Sequence, residues 1–338
     1  MPLRFPLAAA LGLALAAAAL ADEDGALRTV TLKGGTILRG RVEAEDMAGT
    51  RLRLDDGALL LLSPRDVESV RPAAEGDGGA PRFMRLRESS SSDALQSAVA
   101  TYADPKSLAR VTLVGAVHVG DPEYFDALQK ILDGHEVVLF EGVGGGADEK
   151  QLEDVSFIFR LQVEMGKLLA LEFQKDGIDY ARPNFKNADM TWPEMQTALE
   201  ERKQTLIPMQ GLLKTISPLL EGLLASQRVM MEKSGRQAES AADMKRVLAR
   251  YLAQGPELFE RVGIVQAGKR DDVIISLRNE AAFRILDETL KGGAKSVAIF
   301  YGAAHLPDMH RRLAERGFDR KLHYWIDAWR IPKKKAPK

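Results

Sequence analysis

The chain has no cysteine among its 338 residues. Disulfides, thiolate metal sites and cysteine nucleophiles are excluded in one step. The absence fits an oxidising compartment without requiring one. Charge of one sign is missing too. With 47 Lys and Arg against 48 Asp and Glu the net charge is -1, so no basic excess supports nucleic-acid binding. The one basic run, Lys333-Lys334-Lys335, lies in a Pro-flanked tail, residues 331–338, and reads as a solvated end. There is no P-loop and no GxGxxG, which removes the common phosphate cradles. No long biased tract interrupts the chain either. What remains is 45% hydrophobic and 28% charged, the composition of a folded globular protein, at a length that suits about two domains.

The N-terminus sets the expected compartment. Residues 1–21 carry Arg4, a Leu/Ala-rich apolar stretch and Ala19-Leu20-Ala21 before Asp22-Glu23-Asp24. This is the layout of a signal peptide with an A-x-A cleavage site. The expectation is export to the periplasm or the extracellular space. No membrane span is expected after cleavage, and no lipid anchor, since no cysteine follows. The alternative is a retained anchor, for which the run is at the short edge of the roughly 20 residues a spanning helix needs. Export argues against nucleotide-fuelled chemistry.

Residues 27–72 alternate in short runs separated by Gly34-Gly35 and Asp55-Asp56-Gly57. Five such strands predict a small all-β barrel of SH3-like or Sm-like form. It would serve as a spacer or as a docking module for an envelope protein partner. Residues 73–92 read as a linker. From 93 to 330 the pattern becomes α/β: a mixed, largely parallel sheet with flanking helices and a large helical insert. Leu95–Tyr102 is expected to pair antiparallel with Arg110–Gly120 across Asp104-Pro105. Asp121-Pro122 opens a helix with an apolar stripe at Tyr124, Phe125, Leu128, Ile131 and Leu132, and Glu136–Glu141 completes a β-α-β unit with parallel strands. Helices are expected over Val155–Phe173, after Thr191, and over Leu206–Met231, Ala241–Leu252, Pro256–Ala267 and Asp271–Leu290. A helix from Pro307 and an aromatic edge strand, Lys321–Arg330, close the chain.

Three apolar runs end on chemistry-bearing residues. Arg110–Gly120 contains Gly115-x-x-His118, Ser296–His305 ends in Gly302-x-x-His305, and Glu136–Glu141 ends on a carboxylate. The carboxyl ends of strands in an open α/β sheet are where ligands bind. Two imidazoles and a carboxylate with open positions suit a divalent ion such as Zn, Mn, Fe or Co, and such an ion activates water. Glu141 is either a third ligand or the general base. Arg278 and Asn279, in a helix among apolar residues, are candidates for orienting substrate and stabilising an oxyanion, against a plain ion pair. Asp189 is either a helix-entry residue or the partner that fixes one histidine's tautomer. His135, His310 and His323 read as structural or solvated.

Leu113-Val-Gly-Ala-Val-His-Val-Gly120, Val138-Leu-Phe-Glu141, Leu277-Arg-Asn279 and Phe300-Tyr-Gly-Ala-Ala-His-Leu306 together resemble the TraB/GumN/Tiki superfamily. Leu95-Gln-Ser-Ala-Val, Asn184-Phe-x-x-Ala-Asp189 and Trp325-x-x-Ala-Trp329 look like an exported bacterial branch of it. The resemblance spans roughly residues 93–330. It implies an α/β fold, metal binding at His118, Glu141 and His305, and a polar active-site role for Arg278 and Asn279. Tiki relatives are regarded as metal-dependent proteases, which implies a hydrolase acting on a peptide or other small substrate. The resemblance leaves the substrate open. Two rivals stand beside this expectation: a non-catalytic metal- or haem-binding envelope protein, and a scaffold whose α/β domain is catalytically dead.

Overall fold

The computed structural model describes residues 27–33, 36–46, 49–54, 59–72, 82–143, 163, 165–204, 229, 233, 237–253 and 272–333. The expected signal segment lies outside them, as do 206–228 and 256–267 of the helical insert and most of 155–164. Among the described residues no helix is long and apolar enough to cross a membrane.

Five short strands come first: β1 (Leu27–Leu32), β2 (Ile37–Asp46), β3 (Gly49–Leu54), β4 (Leu59–Leu62) and β5 (Val67–Pro72). They pair antiparallel in the order β4-β3-β2-β1-β5. Alternation turns Val30, Leu32, Leu38 and Leu52 inward to form their own buried cluster, as a period of two requires. Next come β6 (Met84–Arg87), β7 (Ser92–Ala103), β8 (Arg110–Ala116) and β9 (Val119–Gly120). β6 pairs with β7, so residues 84–87, expected within the linker, are sheet. Helix α1 (Pro122–Asp133) leads to β10 (Val137–Phe140). The insert contributes β11 (Glu172–Phe173), α2 (Gln174–Gly177), β12 (Phe185–Asn187), α3 (Trp192–Arg202) and α4 (Gln237–Leu252). The chain closes with α5 (Arg278–Lys291), β13 (Ser296–Gly302), α6 (Leu306–Glu315) and β14 (Asp319–Pro332).

A single mixed sheet runs β12-β10-β13-β8-β7-β14-β2-β1-β5. Its parallel part is β12-β10-β13-β8; β7 and β14 join antiparallel. The helix expected over Val155–Phe173 ends earlier, because Ala170 takes a left-handed φ of 52° and Glu172-Phe173 pair with β9. Thr191 caps α3 through a reciprocal box with Glu194, which satisfies backbone donors at the helix start. Both faces of the parallel strands are covered. Val114, Val138 and Phe300 pack under α1 and α4, while Leu113, Leu139, Ile299 and Tyr301 pack under α5 and α6. Continuous apolar runs are what two-sided burial demands.

The β-α-β crossover from β8 to β10 skips a position, and β13 lies between the two strands. Ala116 pairs with Gly302, and Phe140 pairs with Phe300. Parallel direction sends all three carboxyl ends to one edge of the sheet, with His305's strand in the middle.

Candidate functional site

Strand β8 breaks at Val117 and resumes as β9, and the break presents His118 at the sheet edge. Its geometry is held from beneath by Tyr124, whose hydroxyl accepts from Val117 N (3.2 Å), lies 3.1 Å from Gly115 O and 2.8 Å from Ser97 Oγ. His118 is exposed. Its Nδ1 lies 3.1 Å from Oε1 of Gln174, which is 8% exposed. Oε1 only accepts, so Nδ1 carries a proton, and in the neutral ring the lone pair is on Nε2.

His305 lies in a single 3-10 turn, Ala303–His305, between β13 and α6. It is 4% exposed. Its Nδ1 is 2.7 Å from Oδ1 of Asn279, whose Nδ2 donates to His305 O and to Asp308 Oδ2. The same logic fixes its Nε2 as a lone-pair nitrogen. That nitrogen points at Oε1 of Glu141, 3.6 Å away. Burial pushes the His305 imidazolium down to a pKa of about 4, against the pull of Glu141, so the ring is neutral at pH 7.

Glu141 follows β10 directly. Its Oε2 accepts from Gly302 N at 2.6 Å and its Oε1 from Arg278 Nη2 at 2.8 Å. Burial alone would push this carboxyl up. The Arg278 charge above all, then the two imidazoles and the Gly302 N–H, hold it well below the usual carboxylate range. Arg278 is aimed by a π-helical turn, Val273–Leu277, that precedes α5 and is opened by Asp272 accepting from Ile275 N. Such a turn inserts a residue and so rotates the start of the next helix. Arg278 also grips Asp189 with Nε (3.0 Å) and Nη2 (2.5 Å). Burial works against its charge, but Glu141 and Asp189 raise its pKa. Asp189, whose side chain is 0% exposed, also accepts from Gly142 N and Met190 N.

The centre of the arrangement is Gly302. A Cβ built there would lie 3.2 Å from Glu141 Oε2, 3.8 Å from His305 Cδ2 and 3.9 Å from His118 Nε2. The three sequence-predicted ligands therefore meet around one small cradle that a side chain would fill. Arg278 lies behind Glu141, and Asn279 lies behind His305 at 0% exposure. Asn279 spends its Nδ2 on His305 O and Asp308 Oδ2, whereas the bonds of Arg278 run from Nε and Nη2. Asp189 partners Arg278, not a histidine. His135, His310 and His323 stand elsewhere, on Ile131 O, Tyr102 and Arg82 O respectively.

Sequence reasoning missed Gln174, Tyr180 and Asp308. Gln174 Nε2 donates to Tyr180 Oη at 2.8 Å. Nothing in the spacing marks these residues, because they act through another side chain. Among the described residues no group of three or more His, Cys, Asp or Glu is arranged to hold a metal ion as it stands. Arg278 and Asp189 cancel, the imidazoles are satisfied at Nδ1, and the Glu141 charge is left over. In comparisons with family models, curated proteins and solved structures, nothing matches this chain.

Proposed function

We propose that this protein is an exported metal-dependent hydrolase, acting on peptide or ester carbonyls at the cradle formed by His118, Glu141 and His305. The observation that carries the reading is the pair of Nε2 lone pairs, each fixed by an amide oxygen on Nδ1, that flank an ionised carboxylate around Gly302. Hydrogen-bonding the far nitrogen of a histidine to fix its tautomer is how proteins prepare imidazole ligands. The donor set, two neutral nitrogens and one carboxylate oxygen, fits a divalent ion of the Zn, Mn, Fe or Co type. His118 and His305 would hold it through Nε2, with Glu141 beside them. Such an ion, when bound, polarises a carbonyl and lowers the pKa of its water to about 7.

The chain's own residues prepare that site. A carboxyl held well below its usual range is a poor proton acceptor, so of the two roles open to Glu141 the charge-supplying ligand is favoured over the general base. Arg278 keeps Glu141 ionised and fixed in place. Asn279 keeps the His305 lone pair forward, and buried Tyr301, hydrogen-bonded to Ala188 O, packs edge-on to the His305 ring. The exposed side of His118 leaves an approach for substrate. The resemblance to the TraB/GumN/Tiki superfamily, carried by these same residues, supports the same reaction class. A library of peptides and esters incubated with purified protein and Zn2+, Mn2+ or Co2+ tests it. Turnover that disappears in His118→Ala and in His305→Ala is expected. Turnover unchanged in both variants would contradict the assignment.

A further inference from the structure

The segment Glu172–Tyr180 belongs to the insert, outside every motif that marks the site, yet it holds His118 by two hydrogen bonds. Gln174 N donates to the backbone carbonyl of His118 at 2.8 Å. Its side-chain oxygen accepts from Nδ1 of the same residue. Directly beside that contact, Phe173 pairs with Val119 and Glu172 with Gly120. The segment is itself pinned. A Cβ at Gly177 would come within 2.6–2.7 Å of Phe125 Cβ, Cγ and Cδ2, so only glycine lets α2 lie this close to α1. Tyr180, packed on Phe140, Phe185 and Phe300, accepts from Gln174 Nε2 through its hydroxyl, with Gln174 Oε1 facing the histidine.

We infer that Gln174 is a positioning residue that fixes the His118 tautomer and turns its Nε2 toward Glu141, as Asn279 does for His305 from the opposite face of the sheet. The two imidazoles are thus set by neutral amides from two different helical layers. An amide accepts the Nδ1 proton without adding charge. Among the described residues it leaves the Glu141 charge beside the imidazoles, outside the Arg278–Asp189 pair. A free imidazole has two tautomers close in energy, so a single enforced Nδ1–H form is a property of the surroundings, and here the surroundings are Gln174. The inference rests on the proposed site in taking Nε2 of His118 as the working atom. The tautomer itself is a property of the metal-free chain.

Nitrogen-15 NMR of the imidazoles in the metal-free, full-length protein at pH 8, with the His118 signal identified by its loss in His118→Ala, reads that tautomer directly. The wild type is expected to show the Nδ1–H form. Gln174→Leu, which keeps the bulk and removes the acceptor, is expected to lose that preference, while Gln174→Glu, which keeps an acceptor, retains it. Zn2+ affinity, measured separately by titration, falls about tenfold or more in Gln174→Leu, the range for losing a partner behind a metal ligand. An Nε2–H form in the wild type overturns the inference even if Gln174→Leu does not fold, as does an unchanged tautomer in folded Gln174→Leu. Absence of Zn2+ binding by the wild type would count against the metal site and leave the tautomer result standing.

Discussion

At the scale of single residues, the site is a problem in buried charge. Arg278 and Asp189 are buried and neutralise one another, with Glu141 as the second partner of the guanidinium. Removing one member of a buried pair leaves the other uncompensated, at a cost of about 3–5 kcal/mol. Arg278→Leu is therefore expected to lower unfolding free energy by about that amount in urea titrations, and an unchanged midpoint would mean the pair contributes nothing. Gly302 makes the opposite case. Its φ of -50° suits any residue, so Gly302→Ala strains no backbone, and the added methyl lands in the cradle. Stability within about 1 kcal/mol of wild type, together with loss of metal binding, is the expected outcome. A variant that binds Zn2+ normally would show that the cradle is not where the ion sits.

At the scale of elements, what matters is how strand ends are shaped. Tyr124 of α1 reaches under the break in β8 and satisfies Val117 N and Gly115 O at once. Tyr124→Phe leaves a buried backbone donor unpaired, which costs about 1–3 kcal/mol. Thermal or urea unfolding should show it, and no destabilisation would mean that water or a shifted backbone replaces the hydroxyl. The strands bearing His118, Glu141 and His305 were legible in the sequence, because burial on both faces forces short, unbroken apolar runs that stop abruptly at a polar residue. The antiparallel pairing of Leu95–Tyr102 was legible from the Asp104-Pro105 turn. The order of strands was not. Local pattern carries no record of which strand inserts between β8 and β10, nor that Glu172-Phe173 would leave the helical register to pair with β9. Arg278 and Asn279 stood out as polar residues in an apolar helix. The hydrogen bonds they make depend on the π-helical turn before them and on Asp189 and Asp308, which only the folded chain brings near.

At the scale of the whole molecule, buried imidazoles far from the cradle set a pH limit. His323 lies where β14 meets both β7 and β2, with its ring edge-on to Phe83 and to Trp325. Burial first, then the nearby Arg320, Arg85 and His310 charges, push its pKa down to about 4, only partly offset by its bond to Arg82 O. The unfolded chain, with an ordinary histidine pKa near 6.5, binds that proton before the folded one. Stability is thus complete above about pH 6.5 and falls as pH drops toward 4, by at most about 1.4 kcal/mol per pH unit for this residue. Urea titrations across pH 4–7 should show a shallower decline for His323→Leu than for wild type, and parallel curves would contradict the assignment of that proton to His323. Among the described residues, the same junction pairs the N-terminal strands with the main sheet at Leu322↔Leu38 and His323↔Ile37.

The central claim is that two imidazoles and one carboxylate, delivered by three parallel strands, form a single divalent-cation site. Calorimetric titration of chelator-treated, full-length protein with Zn2+ tests it most directly, alongside the His118→Ala/His305→Ala double variant. One ion per chain is expected for the wild type and none for the variant. Equal binding by both proteins, or no binding by the wild type, would contradict it.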